Sequence, residues 1–298
     1  HRCTGRRAVA ALSGDAGDEL FGGYDHYRMY PALWSRIAAV PRCVRQLASG
    51  AVLNMPRSAL DMTGRAVEKL RGRRMTAPPS DRLRALASAA QAGDEIGFSL
   101  RFSRQLLPLR DGPFRYNARR HHEDRLHAAV AAADCGSFVQ RMMLLDVLSY
   151  LPDDILVKVD RAAMAVSLET RIPMLDHRLV EFSMTLPVEM KVSSAAGKIV
   201  LRHLLRRHLP AEIVDRPKAG FTPPVAAWLR HPLLRDWAES LLDPIALRDV
   251  HFLDLSLVRT RWHQHLAGSY EWHGFLWPLL MFLDWRSRDH GVGAVATS

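Results

Sequence analysis

The stretch that most constrains this chain is Ala8–Tyr24, where the apolar run AVAAL gives way to a turn rich in glycine and acidic residues. Ala8–Leu12 is predicted to be a buried strand, because a short run of small and branched apolar residues bounded by a turn suits an inner strand better than a surface helix. In open parallel sheets, ligands bind beyond the carboxyl ends of the strands. The turn after Leu12 is therefore the first candidate for a functional site.

This turn combines backbone freedom with negative charge. Gly14 and Gly17 let successive N–H groups point into one concavity that can hold an anion. Asp15, Asp18 and Glu19 crowd three carboxylates together, and a hard divalent ion such as Mg²⁺ relieves such crowding when it also holds phosphate oxygens. Asp18 is the better placed ligand, and Asp15 lies nearer the strand end. The alternative is an ordinary strand-to-helix turn in which Asp15 or Asp18 caps the helix.

A second informative block is Leu151–Asp176, with the sequence LPDDILVKVDRAAMAVSLETRIPMLD. A proline in the first turn, followed by two acidic residues, predicts a helix that runs to about Ser167. Lys158 and Arg161 lie on one face of this helix. They form either a solvated stripe or a contact for phosphates or an acidic substrate, and the sequence does not decide between the two.

Charged residues also occur at a predicted helix end and in a predicted loop. Glu169 and Arg171 flank the predicted helix end, where a structural ion pair is the favoured interpretation. The third block is Ile213–Leu229, in which Lys218 follows a proline and precedes a glycine. This spacing predicts that Lys218 lies on a held loop between helices, where a lone lysine usually faces solvent.

Strings in these three blocks resemble motifs of the asparagine synthetase family, and the resemblance covers roughly residues 8–288. SGDAGDELFGGY at Ser13–Tyr24 is similar to the family's second nucleotide-site motif, with Ala16 where glycine or another small residue is usual. R-x-P-x-L-D ends the second block at Asp176, and R-x-K-x-G-F contains Lys218. The resemblance implies an α/β fold of the adenine-nucleotide alpha-hydrolase (PP-loop) type, here a parallel-sheet remnant with a predominantly helical remainder.

The resemblance also implies an ATP-dependent ligase that uses Mg²⁺. In the family, the side-chain carboxylate of aspartate attacks the α-phosphate of ATP and pyrophosphate leaves. Ammonia derived from glutamine then converts β-aspartyl-AMP to asparagine. Carried over by position, Ser13 and Gly14 contact the nucleotide, and Asp18 holds Mg²⁺ and pyrophosphate. Asp15 serves adenylate formation or ammonia handling, and Lys218 stabilises charge on the α-phosphate.

Two parts of the family pattern do not occur in these 298 residues. There is no S-G-G-x-D-S pyrophosphate loop and no counterpart of the N-terminal glutaminase domain. That domain begins with a nucleophilic cysteine, and Cys3 does not correspond to it. The chain is therefore expected to be a C-terminal fragment. Residues 1–288 would form the truncated synthetase domain and residues 289–298 a disordered tail. Alone, the fragment is expected to bind ATP weakly and to be inactive, and a homodimer is compatible with the sequence.

Two other functions stay open. A sister adenylating enzyme would form a different amide bond, as a β-lactam synthetase, a lasso-peptide cyclase or an amidotransferase acting on a polysaccharide precursor. The tyrosine and glutamate pair of the β-lactam enzymes is not identifiable in the sequence. The other alternative is a basic helical binding module without catalysis, since the formal net charge is +10. Between Ser35 and Met75, nine Lys or Arg residues face two acids, but interleaved aromatics are lacking, which favours a solvated helix face over nucleic acid.

Composition indicates the class of protein and its expected location. A content of 48% hydrophobic and 24% charged residues is ordinary for a globular enzyme. No apolar run reaches the length of about 18 residues that a membrane helix needs. The three cysteines form no CxxC pair, so neither a disulfide framework nor a zinc site is supported, and a reducing cytoplasm is the expected location.

Overall fold

A computed structural model of the protein describes residues 9–62, 64, 79–106, 120–216, 223–245, 247 and 250–295, with backbone alone at 103–106, 120–124 and 289–295. The described residues are mostly helical and contain one small sheet of two parallel strands. This arrangement is compatible with the predicted α/β class. The chain divides into two compact units, 1–41 with 93–99 and 121–219, and 42–92 with 100–120 and 220–298.

The regular elements are numbered along the chain. The strands are β1 (Ala10–Leu12) and β2 (Glu169–Arg171). The α-helices are α1 (Gly17–Phe21), α2 (His26–Ala38), α3 (Arg42–Asn54), α4 (Pro79–Ala90), α5 (Glu95–Leu106), α6 (Arg120–Ala132), α7 (Phe138–Leu148), α8 (Val157–Met164), α9 (His177–Thr185), α10 (Ile199–Leu205), α11 (Ala211–Val214), α12 (Val225–Trp228), α13 (Pro232–Leu241), α14 (Leu255–Leu266) and α15 (His273–Val295). A π-helix occupies Leu151–Leu156, and short 3₁₀ turns occupy Pro173–Leu175 and Val188–Met190. Residues 57–62 are helical as well.

Strand β1 forms where the apolar run predicts it, but its surroundings differ from the prediction. It pairs in parallel with β2, in a register that sets Leu12 opposite Arg171. The expectation of a buried strand is wrong for the described residues, since Val9 is 80% exposed and Leu12 is 78% exposed. Parallel strands are normally covered on both faces, and two strands alone are marginally stable. The described residues therefore leave apolar side chains of this segment uncovered.

Strand β2 occupies the place where the sequence predicted the end of a helix. Helix α8 stops at Met164, and Ser167 adopts a left-handed conformation with a φ of 55°. The chain then extends, and the N–H of Glu169 donates to the carbonyl of Val9 at 3.0 Å. A strand of three residues carries no local periodicity to reveal it, because its partner lies far away in the sequence.

The core of the first unit lies directly beneath the predicted turn. Helix α1 buries Leu20 and Phe21, which pack with Ile155 of the π-helix, Leu186 after α9, and Leu151. Helix α7 stands beside α1 and α2, and it begins with a capping box at Ser137 that satisfies the first orphan N–H groups. The turn between β1 and α1 is therefore held from below by a packed helical layer.

The core of the second unit is built from helices α12 to α15. It buries Trp262, Trp272 and Phe275, as expected for aromatic residues that pack rather than bind a cofactor, whereas Trp285 is 60% exposed. The Arg261 guanidinium lies 4.4 Å from the ring centre of Trp272 and 4.2 Å from that of Phe275. Such cation–π contacts let a buried arginine keep its charge inside an aromatic core.

Several sequence-based bounds can be compared with the structure. Asp176 caps α9, because its side chain accepts a hydrogen bond from the N–H of Arg178. The final helix continues to Val295, beyond the residue at which the synthetase domain was expected to end. In the part of the chain that the structure describes, no helix is both long enough and apolar enough to cross a membrane.

Candidate active site

The candidate site begins where β1 ends. The N–H of Ser13 donates to the carbonyl of Arg171 at 2.9 Å, so the parallel ladder continues one residue beyond the strand. Ala16 then takes a left-handed conformation with a φ of 67° and precedes the first helical residue, Gly17. A non-glycine residue in this conformation is strained, and such strain is found preferentially at functional turns.

The three carboxylates of the turn point to different partners. Ser13 Oγ donates to Asp15 Oδ2 at 2.5 Å, and Tyr24 Oη donates to Glu19 Oε1 at 2.7 Å. Asp18 Oδ2 lies 3.1 Å from Lys198 Nζ. The predicted crowding around one cation is therefore not realised. Among the described residues, no three acidic, histidine or cysteine side chains converge as metal ligands.

Glu19 turns away from the site into the unit. Its side chain is buried, with 1% exposure, and its carboxylate is held by the Tyr24 hydroxyl. Burial, reinforced by the hydrogen bond to Glu19, raises the pKa of Tyr24 far above its ordinary value. Tyr24 and Glu19 are thus a structural pair, while Asp15 and Asp18 are left at the mouth of the turn.

Lys198 reaches Asp18 because two chain segments cross at very short range. A Cβ on Gly23 would lie 1.8 Å from Asp18 Oδ1 and 2.4 Å from Lys198 Cε. A Cβ on Gly197 would lie 2.2 Å from the carbonyl oxygen of Gly22. The N–H of Lys198 also donates to the carbonyl of Phe21 at 3.1 Å. Only glycine permits this crossing, so Gly197 and Gly23 fix where the lysine can stand.

Lys198 is the site residue that reading the sequence missed. It precedes α10 with a left-handed φ of 54°, and neither this conformation nor its contact with a turn far upstream can be read from the local pattern. The available signal was the glycine directly before it. Gly197 allows the close backbone approach that brings the Lys198 side chain to the acidic turn.

A cluster of tyrosine and histidine rings backs the site on its α2 and α7 side. Tyr27 Oη donates to Asp146 Oδ2 at 2.7 Å, and His26 Nε2 lies 2.9 Å from the same oxygen. Burial raises the pKa of Tyr27 well above its ordinary value, and burial raises the pKa of Tyr150 to about 12. The ring of Tyr24 stands 5.9 Å from that of Tyr150 in an edge-on arrangement. These hydroxyls are therefore hydrogen-bond donors at neutral pH and not bases.

The second block lies beside this layer. The π-helix at Leu151–Leu156 adds one residue to a turn, a distortion that is common near functional sites. Lys158 and Arg161 on α8 are exposed. On β2, Arg171 Nε lies 2.9 Å from Glu169 Oε1, and this hydrogen bond lowers the pKa of Glu169. The ion pair predicted for Glu169 and Arg171 is present, on a strand rather than at a helix end.

The structure thus brings together some of the predicted site residues. Ser13, Asp15 and Asp18 lie in one turn, and Gly14 faces open space, because a Cβ there would meet no described atom within 4 Å. Lys218 lies outside the described residues. The arrangement offers carboxylate oxygens, a hydroxyl and a lysine ammonium at the carboxyl end of a parallel strand, which is the chemistry of a site for a metal-bound anion.

Comparisons with known proteins identify the family of the chain. The profile of the family described as Asparagine synthase matches residues 2–287. Putative glutamine-hydrolyzing asparagine synthetases of Mycobacterium bovis and Mycobacterium tuberculosis are 31% identical to this chain over 95% of its length and 40% of theirs. Asparagine synthetase [glutamine-hydrolyzing] 1 of Bacillus subtilis is 26% identical over 95% of this chain and 41% of its own. No solved structure matches.

The match is extensive for this chain and partial for its relatives. It runs through both compact units and includes the turn, the crossing at Lys198 and the second block. The chain spans about two fifths of the length of the curated relatives it matches. The chain belongs to the asparagine synthase family.

Proposed function

We propose that this chain supplies part of the synthetase site of an ATP-dependent, amide-forming ligase that makes asparagine from aspartate. The observation that carries the proposal is the pairing of Asp18 with Lys198 at the end of β1, next to Asp15 and Ser13. Family membership supplies the reaction class, and the turn supplies charges of both signs where a nucleotide would bind.

The proposed reaction joins two anions, so electrostatics sets its demands. A carboxylate oxygen of aspartate attacks the α-phosphorus of ATP, the bond to the bridging oxygen breaks, and pyrophosphate carries away the electron pair. Ammonia then attacks the acyl carbon, AMP leaves, and a proton is lost from nitrogen. Negative charge builds on phosphate oxygens in the first step, and preorganised cations stabilise it. Lys218 and Lys198 are the proposed cations.

The residues present fit Mg²⁺ in one specific way. Asp18 Oδ2 already faces a cation, the Lys198 ammonium at 3.1 Å, so the carboxylate is oriented for a positive partner. Mg²⁺ is commonly held by one or two carboxylates together with substrate phosphates. Asp18 would hold the ion, which would neutralise and orient the phosphate oxygens. A cage made of protein carboxylates alone does not fit, since Asp15 and Glu19 are held by Ser13 and Tyr24.

The other turn residues act on the nucleotide and the acceptor. The N–H of Ser13 is engaged in the strand ladder, so its proposed nucleotide contact falls to the hydroxyl. Gly14 lies in open space and lets a ligand approach the backbone closely. Asp15, positioned by Ser13 Oγ, is proposed to assist adenylate formation or to handle ammonia.

The partners proposed for this site lie in other parts of the enzyme. Aspartate, ATP and ammonia from glutamine are the substrates, and a PP-loop segment and a glutaminase domain are the proposed complements. The exposed apolar residues Val9, directly before β1, and Leu12, at its end, support a further strand or helix packing there. A homodimer and a cytoplasmic location complete the proposal.

A sister enzyme that deprotonates its own amine would need a tyrosine and glutamate pair that reaches the substrate. Tyr24 and Glu19 are a tyrosine and a glutamate in contact, but Glu19 is buried. The raised pKa of Tyr24 keeps its phenol protonated at neutral pH, so it cannot take a proton from an amine. This geometry favours asparagine synthesis over the β-lactam type. The alternative of a basic binding module needs arginines whose charge is available to a partner. Arg57 instead forms an ion pair with Asp81 of its own unit.

The test is a chimera in which this chain replaces the matched region of the Mycobacterium tuberculosis relative. We expect asparagine formation from aspartate, ATP and ammonium, with one pyrophosphate released per product. Asp18→Asn should lower the rate on the order of a hundredfold, because a transition-state charge loses its counter-charge. Asp25→Asn is the matched control, since Asp25 is an exposed acid of the same segment.

Retention of the full rate by Asp18→Asn would contradict the assignment of the site. The fragment hypothesis is tested separately, by titrating this chain alone with ATP and Mg²⁺ in a calorimeter. Weak binding is the expected result. Tight binding by these residues alone would show that the phosphate site is already complete.

A further inference from the structure

The contact between Lys198 and Asp18 is costly to build. Lys198 adopts a left-handed backbone conformation that lysine disfavours, with a φ of 54°. Two glycines, Gly23 and Gly197, are needed so that the segments can approach. Val200 and Leu201, which follow Lys198, pack on the core of the unit, but the Lys198 side chain is 33% exposed, so core packing does not account for the ammonium on this carboxylate.

The geometry also makes the contact competitive. Lys198 Nζ lies 3.1 Å from Asp18 Oδ2, and both side chains are partly exposed, at 33% and 27%. Asp18 Oδ1 lies against Gly23, 1.8 Å from the place of a Cβ on that residue, so a metal ion would approach Oδ2, the oxygen that faces the ammonium. Two cations so close together repel each other, so the lysine ammonium weakens the binding of a divalent ion to the same carboxylate.

From this we propose, resting on the function proposed above, that Lys198 is the resident counter-ion of Asp18 and has to leave it before a divalent metal binds. The ammonium then requires a new acceptor, and the phosphate oxygens of a nucleotide provide one. A bare metal ion offers no such acceptor. The site therefore discriminates against the metal alone and admits it as its nucleotide complex.

This arrangement couples the two ligands thermodynamically. A triphosphate that receives the Lys198 ammonium lowers the cost of freeing Asp18, so nucleotide tightens metal binding and metal tightens nucleotide binding by the same factor. Without the lysine, the metal would bind Asp18 directly and the coupling would shrink. In this scheme Lys198 pairs with Asp18 before the nucleotide binds and with the phosphate oxygens afterwards.

The backbone conformation supplies an unusually clean variant. Glycine adopts a φ of 54° without strain, so Lys198→Gly removes the ammonium while relieving the backbone. Lys198→Met removes the charge and keeps the length of the chain. Ser167 has a φ of 55° and is exposed, so Ser167→Gly is the matched control for the backbone. Arg259→Met, at an exposed position of α14, is the control for net charge.

The experiment titrates the full chain with Mn²⁺ alone, used as a probe of the magnesium site because it prefers the same oxygen ligands. Free Mn²⁺ is followed by electron paramagnetic resonance. The titration with ATP uses the chimera described above, and a protein-free titration of ATP is subtracted, because the phosphates of ATP bind divalent ions by themselves. We expect both Lys198 variants to bind Mn²⁺ roughly fivefold more tightly than the wild type, the amount that a partly exposed ion pair is worth. The enhancement of Mn²⁺ binding by ATP should fall by a similar factor, and both controls should match the wild type.

Equal Mn²⁺ affinity in the wild type and both Lys198 variants, including no binding in any of them, would overturn the inference. The double variant Asp18→Asn with Lys198→Gly separates this result from the function itself. If Mn²⁺ still binds more tightly in the double variant, Asp18 is not the ligand. If only the Lys198 effect is absent while Asp18→Asn abolishes synthesis in the chimera, the proposed function stands and the resident counter-ion does not.

Discussion

At the scale of single residues, the structure shows how much a buried polar group depends on its partners. His265 is fully buried, and both ring nitrogens are engaged. Nδ1 accepts from the N–H of Trp272 at 3.2 Å, and Nε2 lies 3.2 Å from the carbonyl oxygen of Ala226. One ring thereby ties together three segments of the second unit, and it can do so only as the neutral tautomer that carries its hydrogen on Nε2.

This arrangement predicts a pH dependence of stability. Burial, with the nearby charge of Arg230, lowers the pKa of His265 to about 4 from an ordinary value of 6.5. The unfolded chain therefore takes up a proton before the folded one does. Stability from this group is complete above pH 6.5 and is lost as the pH falls toward 4, by about 2 kcal/mol at pH 5.

Urea unfolding at pH 7.5 and pH 5 measures this loss. His265→Gln should be less stable at pH 7.5 but should lose about 2 kcal/mol less than the wild type on acidification. His263→Gln, at an exposed position of the same helix, should keep the wild-type dependence. An unchanged pH dependence in His265→Gln would show that another group titrates.

At the scale of elements, the candidate site depends on how two helix ends meet. The residues after α1 and the residues before α10 touch backbone to backbone, through Gly22 and Gly197. This crossing holds Lys198 in place, so the position of α10 is part of the site even though the helix itself is short and exposed. A contact of this kind tolerates no added atom at the crossing point.

Gly197→Ala is the corresponding prediction. The new Cβ would lie 2.2 Å from a backbone oxygen, which cannot rotate away as a side chain could. We expect a loss of about 1–3 kcal/mol in the free energy of unfolding, measured by urea denaturation. In Gly50→Ala, the added Cβ meets no described atom within 4 Å on helix α3. That control should gain about 0.5–1 kcal/mol. Equal stability of the two variants would be inconsistent with a close crossing.

At the scale of the whole molecule, the sequence predicted more of the turn than of its surroundings. The strand and the turn that follows it could be predicted from local pattern, since they involve residues close in the chain. Lys198 and β2 were missed because each is defined by a partner far away in sequence. The three carboxylates of the turn do not converge, because Ser13 holds Asp15 and Tyr24 holds Glu19 by hydrogen bonds.

The exposed strand leads to a prediction about this chain and its relatives. Leu12→Lys should change the free energy of unfolding of the chain by less than about 0.5 kcal/mol, because the side chain is 78% exposed. Leu20→Ala, at a residue with 0% exposure, should cost about 2–5 kcal/mol. In the chimera with the Mycobacterium tuberculosis relative, Leu12→Lys should lower the yield of folded protein. Normal yield would show that nothing packs on β1 there.

The parallel pairing of β1 with β2 has a consequence for synthesis. The two strands are separated by more than half of the chain, so closing the ladder carries a large loop entropy and cannot guide early folding. On the ribosome, β1 emerges long before β2 exists, so its backbone has no strand partner in the meantime. In a nascent chain stalled before Glu169, the N–H of Ser13 should therefore exchange freely with solvent, and in one released after Arg171 it should be protected.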